Sequence, residues 1–305
     1  MTEFHRDAEP RRIPRLCRIP RRITRLCRVL SWATLALCTA ACGDGGTTEP
    51  DSDSDSPLTP ITGDWYRPAV ATTWQWQLQG TINTAYAVDL YDIDLFDTPS
   101  TLIAALQASG KRVICYFSAG SFEDFRSDAG SFQSQDLGNP LGDFPDERWL
   151  DIRSTNVLAI MEARLDRAVD KGCDGVEPDN MDGFTNDTGF GLTPGDQITF
   201  NRTIANEAHE RGLSVGLKND LEQISDLIAF FDFQVNEQCH EFDECAELDA
   251  FVTAGKPVFN AEYEPSLVSN ATARAQLCAA ALARSFHTLI LPLDLDDSFR
   301  FSCDS

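Results

Sequence analysis

From residue 73 onward the chain alternates short apolar runs with longer segments in which apolar residues return every three to four positions. The runs TWQWQL (73–78), AYAVDLYD (85–92), RVICYFSA (112–119), GVEPD (175–179), SVGLKN (214–219), DFQVNEQ (232–238), PVFNAEY (257–263) and TLILPLD (288–294) are predicted as strands. Between them STLIAALQASG, NVLAIMEARLDRAVDKG, DQITFNRTIANEAHERG, LEQISDLIAFF, CAELDAFVTAGK and ATARAQLCAAALARSF carry helical periodicity, and several close on the Gly that ends a helix. Strand and helix in alternation are the mark of βα units around a parallel sheet. Eight such strands in about 245 residues predict an α/β fold, a single-domain (β/α)8 barrel of the TIM type, over residues 61–305. One long irregular insert, 122–151, follows the third strand.

The first 42 residues differ from everything after them. Residues 6–28 hold nine arginines and no lysine in a near-repeat, RRIPRLCRIP then RRITRLCRVL, followed by the apolar run VLSWATLALCTAAC. A basic stretch, a short apolar run and small residues make a secretory signal, and the run is too short to span a bilayer as a helix. Its end, TAAC then GDGG, resembles a bacterial lipoprotein signal with Thr39 where Leu is usual, which makes Cys42 the lipidation candidate. A plain secretory signal is the alternative. Residues 43–60, GDGGTTEPDSDSDSPLTP, lack apolar periodicity and are expected to form a disordered tether. The mature protein is therefore expected to be exported, either held at the bacterial envelope by lipid alone or secreted.

Charge narrows the partners. The chain has 25 basic and 48 acidic residues; without the signal, 16 stand against 45, a net of −29. So acidic a surface repels nucleic acid and anionic polysaccharide and attracts cations, so a cationic substrate comes into view. No nucleic-acid partner is expected, and a monomer is. Six cysteines remain after the signal, an even number in a compartment where disulfides persist. Cys239 and Cys245 are near enough to staple one loop, and Cys278 can tie a late helix to Cys303. Cys115 and Cys173, assigned to neighbouring strand segments, read equally well as free core thiols. Cys239, His240 and Cys245 form the one metal alternative, but the histidines, His5, His209, His240 and His287, show no metal-site spacing. No metal or cofactor is expected.

On a (β/α)8 barrel the functional groups lie at the C-terminal strand ends. Those ends read Tyr91, Asp92 and Asp94; Tyr116, Ser118 and Glu123; Glu177, Asp179, Asn180 and Asp182; Lys218, Asn219 and Asp220; Asn236 and Glu237; Glu262 and Tyr263; and Asp294, Asp296 and Asp297. Helix capping accounts for Asp94, Asp220 and Asp296. It accounts poorly for Glu177, Asp179 and Glu237, which are embedded in the strand ends beside apolar neighbours. Acids crowded into GVEPDNMDGF raise at least one carboxyl pKa by like-charge repulsion, which suits a group that must hold a proton near neutral pH. A rim of carboxylates with aromatics (Trp74, Trp76, Tyr91, Tyr116, Phe117, Tyr263), without a Ser/His/Asp set or a phosphate loop, points to chemistry on sugars. Glycoside hydrolysis needs two carboxyl groups, one to protonate the leaving oxygen and one to attack the anomeric carbon or activate water.

The ordered series WQWQLQG, YDIDLFDT, VICYFSAGSFE, GCDGVEPDNMDGF, VGLKND, FDFQVNEQC and FNAEYE resembles glycoside hydrolase family 114, the endo-α-1,4-polygalactosaminidase family, from about Asp64 to Cys303. The resemblance implies a barrel that cleaves α-1,4-linked galactosamine-containing polysaccharide. The family's catalytic Asp of EPDN and Glu of NEQC fall on Asp179 and Glu237. By analogy with other barrel glycosidases acting on α-linkages, Asp179 is expected to be the nucleophile and Glu237 the general acid/base of a retaining reaction. Substrate contacts are expected from Trp76, Tyr91, Tyr116, Asn180, Lys218, Asn219, Glu262 and Tyr263. The sugar ammonium is expected to pair with Asp92, Asp94, Glu177 or Asp182. Two alternatives stay open: another α-linked hexosamine or galactose polymer as substrate, and a carbohydrate-binding barrel without turnover. The latter would lack one of the two acids, and both are present.

Overall fold

The computed structural model describes residues 58–142 and 144–304. The expected signal, Cys42 and residues 43–57 of the expected tether lie outside the described residues. In chain order the elements are β1 Trp74–Gln77, β2 Leu90–Asp94, α1 Ser100–Ala108, β3 Arg112–Ser118, β4 Ser121–Glu123, β5 Leu137–Leu141, β6 Phe144–Leu150, α2 Thr155–Lys171, β7 Gly175–Asp179, α3 Pro194–Glu210, β8 Ser214–Lys218, α4 Ile224–Leu227, β9 Phe233–Glu237, α5 Asp249–Thr253, β10 Val258–Glu262, α6 Ser266–Ser269, α7 Ala271–Ala283, β11 His287–Ile290 and β12 Phe301–Ser302. Eight strands pair in parallel in the order β1-β2-β3-β7-β8-β9-β10-β11, the wall of the expected barrel, and β12 adds an antiparallel ninth strand beyond β11. No ladder joins β1 to β11 or β12 among the described residues. Instead the Trp74 indole donates to the His287 carbonyl at 2.9 Å, Leu78 N–H to Leu295 at 3.0 Å, and Arg300 to Trp74 O and Gln75.

Two apolar cores flank the wall, as the period-2 alternation of a strand requires. Tyr91, Ile93, Val113, Cys115, Phe117 and Val176 pack outward against residues of α1, α2 and α3 such as Ile103, Leu165 and Ile204. Trp74, Leu90, Ile114, Phe233, Phe259 and Leu289 fill the barrel interior. Gly216 makes room for this filling, since a Cβ there would lie 2.3 Å from the Phe233 ring. One step up the same inward faces the filling becomes polar: Asp92, Tyr116, Glu177 and Lys218 join Trp76, and above them come Asp179 and Glu237.

The helices start and stop where their chemistry dictates. Thr193 and Asp196 form a capping box ahead of α3 with Pro194 in the first turn, and α2 ends on Gly172 in the left-handed region at φ 83°. LEQISDLIAFF, expected as one helix, is a 3-10 turn followed by the single turn α4. The second strand begins at Leu90 rather than residue 85, because Asp89 spends its carboxylate on the Thr73 N–H and hydroxyl at 2.9 and 2.7 Å, closing the approach loop. The insert is not irregular: it builds an antiparallel sheet β4-β6-β5. Buried Arg126 bridges it to the barrel, pairing with Glu123 at 2.8 Å and Asp94 at 2.7 Å.

All six described cysteines are bonded, as Cys115–Cys173, Cys239–Cys245 and Cys278–Cys303. The free-thiol reading of Cys115 and Cys173 is therefore corrected. Cys173 lies in the turn after α2, not in a strand, where its sulfur reaches the outward face of β3. With both sulfurs in a disulfide, the metal reading of Cys239, His240 and Cys245 loses its two thiolates.

Candidate active site

Three neighbouring strands each deliver one acid or cation to the same point and then turn sharply. Asn180, Asn219 and Gln238, directly after β7, β8 and β9, all have left-handed backbones, with φ of 59°, 49° and 63°. Asn adopts that conformation at modest cost and Gln at more, so the strain marks a place where the chain must leave the barrel at once. β3 clamps the end of β7, because Ala119 and Gly120 donate their N–H groups to the Asp179 carbonyl at 2.9 and 3.0 Å. A Cβ on Gly120 would lie 1.8 Å from the Asn180 carbonyl, so the close approach admits glycine alone.

The centre of the cluster is Lys218, 2% exposed. Its Nζ lies 3.2 Å from Glu177 Oε1, 3.1 Å from Asp179 Oδ1 and 3.4 Å from Glu237 Oε2, and 4.7 Å from the centre of the Trp76 ring. Burial alone would lower the Lys218 pKa, but Asp179, Glu177 and Glu237 together raise it, so the ammonium stays charged. Asp179 receives the Tyr116 hydroxyl on Oδ2 at 2.8 Å and the Asn180 N–H on Oδ1 at 2.7 Å. Glu237 receives the Tyr263 hydroxyl on Oε1 at 2.7 Å and the Asn219 amide on Oε2 at 3.2 Å. Burial first, and the adjoining carboxylate next, push both tyrosines well above their ordinary value and keep them as donors. Asn219 is itself held by a chain of side-chain bonds across adjacent strands, Thr288 to Asn260 at 3.0 Å, Asn260 to Asn236 at 3.1 Å and Asn236 to Asn219 at 3.2 Å.

Beneath this pair, Asp92 and Glu177 are buried side by side. Burial, then the charge of Asp92, drives Glu177 well above the usual carboxylate range, and burial raises Asp92 to about 7.

Asp179, Glu237, Tyr116, Tyr263, Lys218, Asn180, Asn219, Glu177 and Asp92 thus converge. The other expected binding residues are placed differently. Tyr91 faces outward and donates to the Tyr86 carbonyl at 3.1 Å. Asp94 is engaged by Arg126 and by the N–H groups of Phe96 and Asp97, both at 2.7 Å, so it closes the turn after β2 and does not cap α1, whose N-cap is Pro99. Glu262 accepts the His240 N–H at 2.9 Å and so anchors the disulfide-stapled loop; burial raises its pKa to about 7. Asp182 opens the 3-10 turn Gly183–Thr185, its carbonyl accepting from Thr185 at 3.0 Å. Trp76 lies under Lys218, 1% exposed, as floor rather than as a face for a sugar.

Glu147, on β6 of the insert, escaped the sequence reading. It is 8% exposed, its Oε2 accepts the Ser121 hydroxyl at 3.0 Å, and burial followed by the charges of Glu123 and Asp179 raises its pKa to about 8. The sequence signal was the short alternation around it, in which Phe144, Glu147, Trp149 and Leu150 are all buried.

Two carboxylates on one buried ammonium, each with a tyrosine donor, at the C-terminal rim of a parallel barrel, form an arrangement for acid–base and nucleophilic work on a glycosidic bond. The sequence model of glycoside-hydrolase family GH114 matches residues 56–305. The chain belongs to family GH114. It is accordingly a glycoside hydrolase. Among solved structures, Ega3 of Aspergillus fumigatus, determined in complex with galactosamine, superposes with a TM-score of 0.76 at 43% identity, over 80% of this chain and 99% of Ega3. The glycoside hydrolase domain of PelA from Pseudomonas aeruginosa shares the fold at a TM-score of 0.60 and 16% identity, over 74% of this chain and 96% of that domain. No curated protein sequence matches.

Proposed function

We propose that this GH114 enzyme is exported and cleaves α-1,4-linked galactosamine polysaccharide internally, with retention at the anomeric carbon. The substrate class is supported by the likeness to Ega3 and by the acidic surface. Export is supported by three disulfides among the described residues.

The observation that carries the mechanism is the shared contact of Asp179 and Glu237 with Lys218. Two oxygens held 3.1 and 3.4 Å from one nitrogen are separated by no more than the sum of those distances. That ceiling falls at the lower edge of the roughly 6.5–9.5 Å spacing of inverting enzymes and admits the retaining ~5–5.5 Å. The roles follow from an asymmetry. Asp179 is fixed by three donors at 2.7–3.1 Å, one of them a rigid backbone N–H, as an attacking anion requires. Glu237 has one short bond, from Tyr263 to Oε1, and two longer ones at 3.2 and 3.4 Å on Oε2, so it is the less tightly held of the two and the one assigned to move the proton. Glu237 gives that proton to the glycosidic oxygen as Asp179 bonds to the anomeric carbon and the bond to the leaving sugar breaks. Glu237 then takes a proton from water, whose oxygen displaces Asp179 from the anomeric carbon.

The test is reducing-end release from partially deacetylated α-1,4-galactosaminan by the purified protein, Asp179→Asn and Glu237→Gln, with NMR of the first anomer formed. Release by the wild type alone, with the α anomer first, supports the proposal. The β anomer first overturns retention, and binding without release by any form moves the protein to the carbohydrate-binding class.

A further inference from the structure

Most other buried acids around the cleft already have a cation or a backbone donor of their own. Asp94 and Glu123 pair with Arg126, Glu177, Asp179 and Glu237 pair with Lys218, Glu262 accepts backbone N–H, and Asp92 lies against Glu177. Glu147 differs. Among the described residues it makes no ion pair, and its one hydrogen bond comes from the neutral Ser121. Its exposure is 8%, the same as that of Asp179.

The two are also joined through a short neutral bridge. Ser121 Oγ lies 2.6 Å from Ser118 Oγ, both accept the Asn180 amide, at 3.2 and 2.9 Å, and the Asn180 N–H binds Asp179. The charges of Asp179 and Glu147 act on each other's surroundings: Asp179 on Glu147, and Glu147 on Tyr116. This bridge belongs to the insert and β7 alike, since β4 and β6 carry Ser121 and Glu147 and the Trp149 ring packs 3.4 Å from where Gly183 would bear a Cβ.

In a 2-amino sugar the amino group sits on the carbon next to the anomeric carbon. A carboxyl adjoining the nucleophile is therefore within reach of that group whenever the bond to be cleaved is in place. We infer that Glu147 is the residue that reads the substrate's amine, binding the 2-ammonium of the sugar adjoining the cleaved bond as its missing cationic partner. An ammonium there lets Glu147 give up its proton and form an ion pair, whereas an N-acetyl group offers no positive charge and leaves the carboxyl protonated and neutral, which makes Glu147 a discriminator for deacetylated polymer. The inference rests on the galactosamine reading above.

The test uses the full chain and Glu147→Gln, which keeps the side-chain volume and the Ser121 bond. Two substrates are compared, fully deacetylated and fully N-acetylated α-1,4-galactosaminan oligomers, and calorimetric binding of free galactosamine and N-acetylgalactosamine is measured in parallel. The expected result is a roughly 10- to 100-fold loss of kcat/KM on the deacetylated oligomer, mostly in KM, with the N-acetylated one unaffected, and a comparable loss in galactosamine affinity alone. Equal losses on both substrates, or none on either, overturn the role of Glu147 while leaving the hydrolase reading intact. If no oligomer is cleaved by the wild type, the hydrolase reading fails, and the binding comparison decides Glu147 by itself. Should Glu147→Gln not fold, Ser121→Ala, which removes the Ser121 hydroxyl from Glu147, must keep the preference for galactosamine over N-acetylgalactosamine. Loss of that preference with Glu147 intact overturns the inference.

Discussion

Replacing Lys218 by Met removes one charge while keeping a long, unbranched side chain, so the cavity term stays small. The ammonium is 2% exposed and stands within 3.4 Å of three carboxylates that cannot turn to water. Removing one partner of a buried ion pair costs about 3–5 kcal/mol, because the other charge is left uncompensated. Here three acids lose the same cation, which places the variant at the upper end, about 5 kcal/mol at neutral pH. At about 2–4 °C per kcal/mol for a domain of this size, Tm falls by roughly 10–20 °C. The pH dependence carries the sharper test. In the variant Asp92, at about 7 and held down by Lys218 in the wild type, rises further with Glu177 and keeps its proton to higher pH in the folded state. The variant therefore binds more protons when folded than the wild type does, and its deficit grows as pH rises. Circular dichroism melts of both proteins at pH 5 and pH 8 measure this. A Tm within 2–3 °C of the wild type at pH 8, or a deficit that is no larger at pH 8 than at pH 5, would refute the view of Lys218 as the cation that balances the site.

Tyr263→Phe deletes the 2.7 Å hydrogen bond to Glu237 and should lower kcat by roughly 10- to 100-fold with a fall in Tm of only a few degrees; an unaltered kcat on oligosaccharide would show that the hydroxyl does not position Glu237. Wild-type stability should itself decline between about pH 5 and pH 8. Glu147, at about 8, and Asp92 and Glu262, at about 7, hold protons in the folded state that they release on unfolding once pH exceeds the ordinary carboxylate range, while His240 and His287 shift in opposite directions. A higher Tm at pH 8.5 than at pH 5.5 would contradict this.

Much of the molecule was legible in the order of its residues, because strand and helix periods are local. The alternation of apolar runs with helical segments places all eight barrel strands, and the acids at their ends name Asp179 and Glu237 before any coordinate is known. Local signals failed where the decisive partner is distant in the chain. Asp92 and Asp94 read alike from the sequence as acids near a strand end. Only the neighbouring strands bury one beside Glu177 while the insert's Arg126 claims the other. Tyr91 reads like Tyr116, yet a shift of the strand's start and the side-chain alternation send it to the outer face. Cys115 and Cys173, 58 residues apart, meet only because β3 and β7 are neighbours in the wall. The alternation of its own segment marks Glu147 as buried but not as functional, since its value depends on which groups lack a cation, a property of the assembled cleft. The sequence by itself determined the order of the barrel strands and brought Asp179 and Glu237 forward as the proposed pair. The tertiary structure alone decided the state of each buried charge, because desolvation and pairing act through space.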